Sequence, residues 1–213
     1  MDPILGAIAF SHLDFRLENL VKNGNFSQGG SGWRDYNGTI EEYKGKQCFK
    51  QTQRNHRCFQ TVPMAKGDML YYGCYMAQES TGFVGAYTGM GLTQDILTGR
   101  ERVTLSSDQR DGEFHLVSGA RRVDDEDSIV LGYWSTSDAL ATTYYTDVFV
   151  FNLTKSFGNG NEPTKEEMDV LFMLLGGWFD GTVQPSQSIL LSWQLKLMRQ
   201  NREAILALGG TFV

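Results

Sequence analysis

Apolar and polar residues form short runs between about residue 19 and residue 154, separated by Gly, Asn, Asp and Ser. Such spacing is typical of an antiparallel sandwich or barrel. The predicted strands are 19–23, 47–52, 58–62, 70–78, 82–88, 113–119, 128–133 and 144–153. Two of them, 70–78 and 144–153, are apolar at both alternating positions, which indicates strands covered on both faces.

The pattern changes to a helical one after the last predicted strand. Thr164 and Glu167 have the spacing of a capping box, and Pro163 disfavours an earlier helical start. A helix is therefore predicted to begin at Thr164. Its apolar face contains Met168, Leu171, Phe172 and Leu175, whereas Lys165, Glu166 and Asp169 are expected to face water.

A second helix is predicted over 186–208, ending at Gly209 and Gly210. Its apolar residues follow a heptad-like stripe, which Arg202 interrupts: Leu191, Leu195, Met198, Ile205 and Leu208. Such a stripe needs a partner, and two alternatives are open. The helix either folds back on the sandwich, or it associates with a second copy or another protein.

These elements predict four parts of the chain. An apolar N-terminal arm at 1–18 is a second candidate contact element. The sandwich follows at 19–154, the junction, first helix and linker at 155–185, and the amphipathic helix at 186–213.

Charge and composition narrow the function. A formal net charge of −6 argues against nucleic acid as the main partner, because binding a polyphosphate requires clustered Lys and Arg. No apolar run approaches the roughly 20 residues that span a bilayer. The start of the chain lacks the basic region of a secretory signal, so we expect synthesis and retention in the cytosol.

The three cysteines give neither a zinc motif nor an even disulfide framework. Cys48 and Cys58 could face each other across a hairpin, but buried free thiols are the expected state of these two and of Cys74.

Four stretches resemble two kinds of known protein. The segment Asn19-Leu-Val-Lys-Asn-Gly-Asn-Phe-Ser-Gln-Gly-Gly-Ser-Gly-Trp33 resembles the opening of carbohydrate-binding-module jelly rolls of the galactose-binding-like type, and 58–72 and 145–151 resemble their central stretch and last strand. Residues 151–172 resemble a junction common in structural proteins of tailed bacteriophages, "D/N-L-T-x-x-F-G-x-G-N-E-P-T-x-E-E-M/F". The resemblance implies a mainly β fold, an antiparallel jelly-roll β-sandwich followed by two C-terminal helices.

The carbohydrate-binding-module resemblance also implies candidate sites. A structural calcium ion would use Asp147, with Asn25 and neighbouring carbonyls as companions, although Ser27 stands where such modules often have an acid. Sugar binding would rest on exposed aromatic rings. Trp134, Tyr133 and Tyr87 are the candidates, while most other aromatics, Trp33 included, are expected in the core.

The expected function is that of a non-enzymatic virion protein made without a signal peptide, in a tail, baseplate, fibre or capsid appendage. Its jelly roll would serve adhesion to host glycans or assembly, with other virion proteins as partners and a homo-oligomer, a trimer by analogy with phage fibres. An alternative is a carbohydrate-binding module accessory to a bacterial glycan-degrading enzyme. Catalysis is disfavoured, since the acidic run 124–127 is typical of a solvated turn and no nucleophile motif is present.

Overall fold

The chain folds as an antiparallel β-sandwich with helices packed against one outer face. The computed structural model describes residues 15–34, 38–53, 56–78, 89–92, 102–124, 128–132 (backbone only) and 141–196. The strands are β1 Leu17–Glu18, β2 Thr39–Tyr43, β3 Lys46–Gln51, β4 Arg57–Thr61, β5 Met69–Gln78, β6 Gly89–Leu92, β7 His115–Arg122, β8 Ser128–Gly132, β9 Thr143–Asn152 and β10 Thr182–Val183. The helices are a 3-10 turn at Ser107–Gln109, α1 Leu153–Phe157, α2 Lys165–Leu174 and α3 at 187–196.

Two sheets form the sandwich. The larger has the order β2-β3-β9-β5-β7 and the smaller β4-β8-β6, while β1 and β10 pair in a short ribbon. All of these pairs are antiparallel. Every residue of β9 is buried, and nearly all of β5, because these strands lie inside the larger sheet with packing on both faces. The fold class and the two-sided burial of both strands are confirmed.

The space between the sheets contains the main apolar core. Phe26 and Trp33 stack there with ring centroids 5.2 Å apart, and Trp33 is only 7% exposed, so its predicted place in the core is confirmed. Cys58 and Cys74 are buried in the same core, whereas Cys48 lies on the other face of the larger sheet. All three cysteines are free and buried, and burial raises the pKa of the Cys48 thiol to about 12.

A second apolar core, the junction core, lies on the outer face of the larger sheet. Its buried members are Phe15, Leu17, Tyr71, Phe149, Phe151, Leu153, Met168, Val170, Leu171, Phe172, Leu190 and Trp193. The ring of Phe149 packs directly over Gly73: a Cβ at position 73 would lie 2.6 Å from Cζ of Phe149. Helices α2 and α3 therefore both pack on the sandwich, whatever other surfaces they also contact.

Three differences from the predicted elements have local causes. Residues 19–23 are not a strand, because the buried amide of Asn19 accepts hydrogen bonds from the backbone of Val21 and Val150 instead. The β2–β3 hairpin turns on Lys44 and Gly45, both with positive φ, a two-residue turn that the sequence analysis missed. Strand β6 was missed as well, and the predicted strand 82–88 lies outside the described residues.

Candidate functional site

The outer face of the larger sheet has two halves with different chemistry. One half is covered by the junction core and its helices. The other contains a cluster of rings with lysines above them, which we call the aromatic patch and define as Tyr43, Tyr75, Phe114, Tyr144 and Lys46. The first half attaches the helical segment to the sandwich, and the second keeps half-buried rings beside lysines.

The phage-like junction folds into a hydrogen-bonded unit, the junction clamp, centred on Thr154. Its hydroxyl accepts from the backbone amide of Met69 at 2.8 Å and donates to Glu162 at 2.7 Å. The other oxygen of Glu162 accepts from the amide of Gly160 at 2.7 Å. Because Met69 begins β5, the clamp ties the junction loop directly to the larger sheet.

The residue before α1 connects the junction to the β5 turn in a second way. Asn152 caps α1, since its side-chain oxygen accepts from the amide of Lys155 at 2.9 Å. Its side-chain nitrogen donates to Asp68 at 2.6 Å. The polar residues of the junction sequence therefore have structural partners, which explains why the segment needs those residue types.

Glu162 is ionised in this arrangement. Burial acts to raise the pKa of its carboxyl, but the hydrogen bonds from Thr154 and the backbone, with the charge of Arg122, outweigh burial. The pKa of Glu162 is therefore lowered from its ordinary value. The clamp therefore favours the charged form of this carboxylate.

Helix α2 begins as predicted, with the capping box of Thr164 and Glu167 formed in both directions. Asp169, however, does not simply face water, and that expectation was wrong. It accepts hydrogen bonds from Tyr71 at 2.8 Å and from Ser118 at 2.6 Å, both on the sheet. Burial raises the pKa of Tyr71, so its hydroxyl stays protonated and can donate.

Helix α3 presents apolar residues on two sides. Leu190 and Trp193 are buried in the junction core, and the indole of Trp193 donates to the backbone oxygen of Glu167 at 2.8 Å. Leu191 and Leu195 are 56% and 48% exposed. Within the described residues the helix both folds back on the sandwich and leaves part of its predicted stripe in water. Met198, Ile205 and Leu208, the rest of the predicted interface, lie outside the described residues.

The aromatic patch is built by strand residues on one face of the sheet. Tyr43 stacks on Tyr144 with centroids 3.8 Å apart and an interplanar angle of 10°, and Phe114 meets Tyr43 edge-on at 5.7 Å. The hydroxyl of Tyr43 donates to the backbone oxygen of Gly112 at 2.9 Å, which fixes the ring. Tyr43, Tyr75 and Phe114 are half-buried, so the patch keeps apolar ring surface in contact with solvent.

Charged groups surround these rings. The ammonium of Lys46 lies 5.0 Å from the ring centre of Tyr75 and 5.9 Å from that of Phe114. Lys50 lies 5.7 Å from the ring centre of Tyr144 and pairs with Glu41 at 2.9 Å. Ring faces for stacking next to ammonium and carboxylate groups for hydroxyls are the combination that binds sugars.

Other residues were predicted from the sequence to bind sugar. Trp134, Tyr133 and Tyr87 lie outside the described residues, so their role stays a prediction. Tyr43 and Phe114 were missed. If the two-residue turn at Lys44 and Gly45 had been predicted, Tyr43 would have been placed on a strand of the larger sheet.

The calcium prediction depends on Asp147, at a β-bulge with positive φ in β9. Its carboxylate forms an ion pair with Lys46, and the side-chain oxygen of Asn25 accepts from the amide of Ser27 at 3.2 Å. No group of three His, Cys, Asp or Glu side chains in the described part of the chain could ligate a metal. A calcium ion at Asp147 would have to compete with Lys46, so its binding stays a prediction.

No protein-family model matches the sequence, and no curated protein matches it. Solved structures similar to the chain include one titled "Family 16 Carbohydrate Binding Module-2", with 14% identity, a TM-score of 0.42, and coverage of 62% of this chain and 99% of that chain. Another is the tripod (BppUct-A-L) from the baseplate of bacteriophage Tuc2009, with 9% identity, a TM-score of 0.37, and coverage of 72% and 61%. The chain thus spans less than two thirds of the tripod chain. None of the described helices is long and apolar enough to cross a membrane.

Proposed function

We propose that this chain is a non-enzymatic structural protein of a bacteriophage virion, located in a tail, baseplate, fibre or capsid appendage. The observation that carries the proposal is the junction clamp. The segment that resembles phage structural proteins is not a flexible tether, because Thr154 and Glu162 join it to the sheet and the junction core buries its apolar residues.

Assembly would use the exposed side of α3. Leu191 and Leu195 lie four residues apart on the side opposite Leu190 and Trp193, and burying them requires another surface. We infer a homo-oligomer, with a trimer as the favoured state, or docking to another virion protein. The exposed methionine of α2, Met173, adds apolar surface to the same helical layer.

Adhesion would use the aromatic patch. Its stacked rings and adjacent lysines support binding of a neutral or acidic glycan on the host surface. Helices occupy the other half of the same sheet face, so a ligand on the patch would leave the attachment surface unobstructed.

The second candidate is a carbohydrate-binding module accessory to a bacterial glycan-degrading enzyme. The aromatic patch is compatible with this candidate, since a sugar-binding site suits either function. The two candidates differ in what the helical layer is for. In the virion, the exposed leucines of α3 contact other virion subunits, whereas in an accessory module they would contact the enzyme.

Fractionation distinguishes the candidates. Lysates of cells carrying the genome that encodes this chain would be separated on a density gradient, and each fraction probed with an antibody against the purified chain. Bands at the density of infectious particles support the virion protein. Bands only in fractions with glycan-degrading activity, and none with particles, support the accessory module and reject our proposal.

A further inference from the structure

The junction clamp holds a chemically reactive pair of residues, Asn159 and Gly160. Both are exposed in the turn between α1 and α2. The side-chain carbonyl of an asparagine can be attacked by the backbone nitrogen of the next residue, and a glycine there has no Cβ to hinder the attack. Within the described residues, a Cβ built on Gly160 would meet no atom within 4 Å apart from its chain neighbours, so this side of the turn is open.

One hydrogen bond of the clamp opposes this attack. The backbone amide of Gly160, whose nitrogen would be the nucleophile, donates to the carboxylate of Glu162 at 2.7 Å. The nitrogen must lose its proton to react, and a hydrogen bond to the protonated form and a nearby negative charge both oppose that loss. The other carboxylate oxygen of Glu162 accepts from Thr154, which in turn accepts from the amide of Met69. The protection of Asn159 therefore depends on the closed clamp.

A second pair of the same residue types has different surroundings. The side-chain nitrogen of Asn23 donates to the backbone oxygens of Gly29 and Ser31 at 2.9 and 3.0 Å, and its side-chain oxygen accepts from the amide of Gln28 at 3.0 Å. Gly24, which follows it, is buried. These contacts hold the Asn23 side chain in place, so this pair is protected by packing that the junction clamp does not provide.

We propose that Asn159 is a deamidation site controlled by the junction clamp. When the clamp opens, the backbone nitrogen of Gly160 loses its proton and forms a bond to the side-chain carbonyl carbon of Asn159. The side-chain NH₂ group takes up a proton and leaves as ammonia. Water then hydrolyses the resulting succinimide ring at either of its two carbonyls, which gives aspartate or isoaspartate at position 159. No oxidation or reduction occurs, and water is the co-reactant.

The modification would act back on the clamp. It places a new carboxylate at position 159, three residues before the carboxylate of Glu162, and the repulsion between like charges opposes reclosing. Isoaspartate also adds a methylene group to the main chain directly before Gly160. Because ammonia is lost, the change is permanent and marks chains in which the clamp has opened. This inference is independent of the proposed place in a virion.

The test follows deamidation of the full chain by mass spectrometry during incubation in mildly alkaline buffer. Trypsin places each Asn-Gly pair of the sequence in a peptide of its own, 23–34, 35–44 and 156–165. The comparison uses the first and the last, since Asn37 lies outside the described residues. We expect Asn159 to react faster than Asn23 in the folded chain. In the chain unfolded by urea, Asn159 should react about tenfold faster than in the folded chain, because the bond to Glu162 is lost.

A pair of variants tests the role of the clamp itself. Glu162→Ala should speed the reaction at Asn159 about tenfold and leave Asn23 unchanged. The control Glu166→Ala removes an exposed glutamate of α2 and should change neither rate. If Glu162→Ala does not fold, Thr154→Val, which removes the hydroxyl that holds Glu162, should speed the reaction at Asn159 by a smaller factor.

Three results would overturn the proposal. The first is a rate at Asn159 that is the same in a folded clamp variant and in the native chain. The second is a rate at Asn159 that unfolding in urea does not raise. The third is an equal acceleration at Asn23 in a folded clamp variant, since general opening of the sandwich would then control the reaction.

Discussion

The hydroxyl of Thr154 lies 2.7 Å from the carboxylate of Glu162, eight residues further along the chain. The same hydroxyl accepts from the first residue of β5, so one side chain joins the sheet to the loop that precedes α2. This geometry fixes where α2 begins relative to the sandwich. The helical layer is therefore positioned by the junction as well as by apolar packing.

Replacing Thr154 by Val should lower the free energy of unfolding by about 1–3 kcal/mol, because the amide of Met69 and the carboxylate of Glu162 both lose a partner. Thr154→Ser keeps the hydroxyl and should retain most of that stability. Urea denaturation followed by tryptophan fluorescence measures both. A valine variant as stable as the native chain would show that the clamp does not stabilise the fold.

The charge of Glu162 predicts a pH dependence. The pKa of Glu162 is lower in the folded chain than its ordinary value of 4.5, so its contribution is fully present above that value. It is lost as the pH falls through the folded pKa. The free energy of unfolding, measured at a series of acidic pH values, should therefore depend less steeply on pH in Glu162→Gln than in the native chain. Glu166→Gln, which removes an exposed glutamate of α2, gives the matched comparison.

Sugar binding should depend on Tyr43. Tyr43→Ala removes the ring that stacks on Tyr144, and we expect retention on a glycan array to fall about tenfold or more. Phe59→Ala removes a half-buried ring of the smaller sheet and should leave retention unchanged. Equal losses in the two variants, or unchanged retention with Tyr43→Ala, would contradict a ligand site at the aromatic patch. If the native chain retains no glycan, the sandwich serves assembly alone.

Self-association should depend on Leu191 and Leu195. Changing both to Glu places charges on the exposed side of α3, so we expect sedimentation to shift from an oligomer to a monomer of 23.9 kDa. Gln28→Glu with Gln53→Glu adds the same charge at exposed polar positions outside α3 and should leave the oligomer intact. A native chain that sediments as a monomer would limit these leucines to contacts with a different protein.

Features that depend on neighbours in sequence were predicted well. The capping box of Thr164 spans three residues, and the core position of Trp33 was expected from the resemblance of the opening segment to carbohydrate-binding-module sandwiches. The role of Asp169 was missed because its partners, Tyr71 and Ser118, are 98 and 51 residues away. Only the folded sheet brings them to the helix.

The aromatic patch could not be predicted for the same reason. Tyr43 and Tyr144 are distant in sequence, and they stack because β3 lies between their strands in the sheet. The bulge at Asp147 changes which residues of β9 face the core, so simple alternation could not assign its faces. Composition predicts that most aromatic side chains lie in the core, but it does not identify which of them are exposed.

Quantitative mass spectrometry of purified particles tests the central claim most directly. Particles would be purified on a density gradient, freed of soluble protein and digested with a protease. Isotope-labelled peptides of this chain would be added as internal standards. The account predicts the chain in intact particles at a constant copy number, in multiples of three if the trimer is correct. Its absence from particles, with detection in the particle-free lysate, would contradict the assignment to the virion.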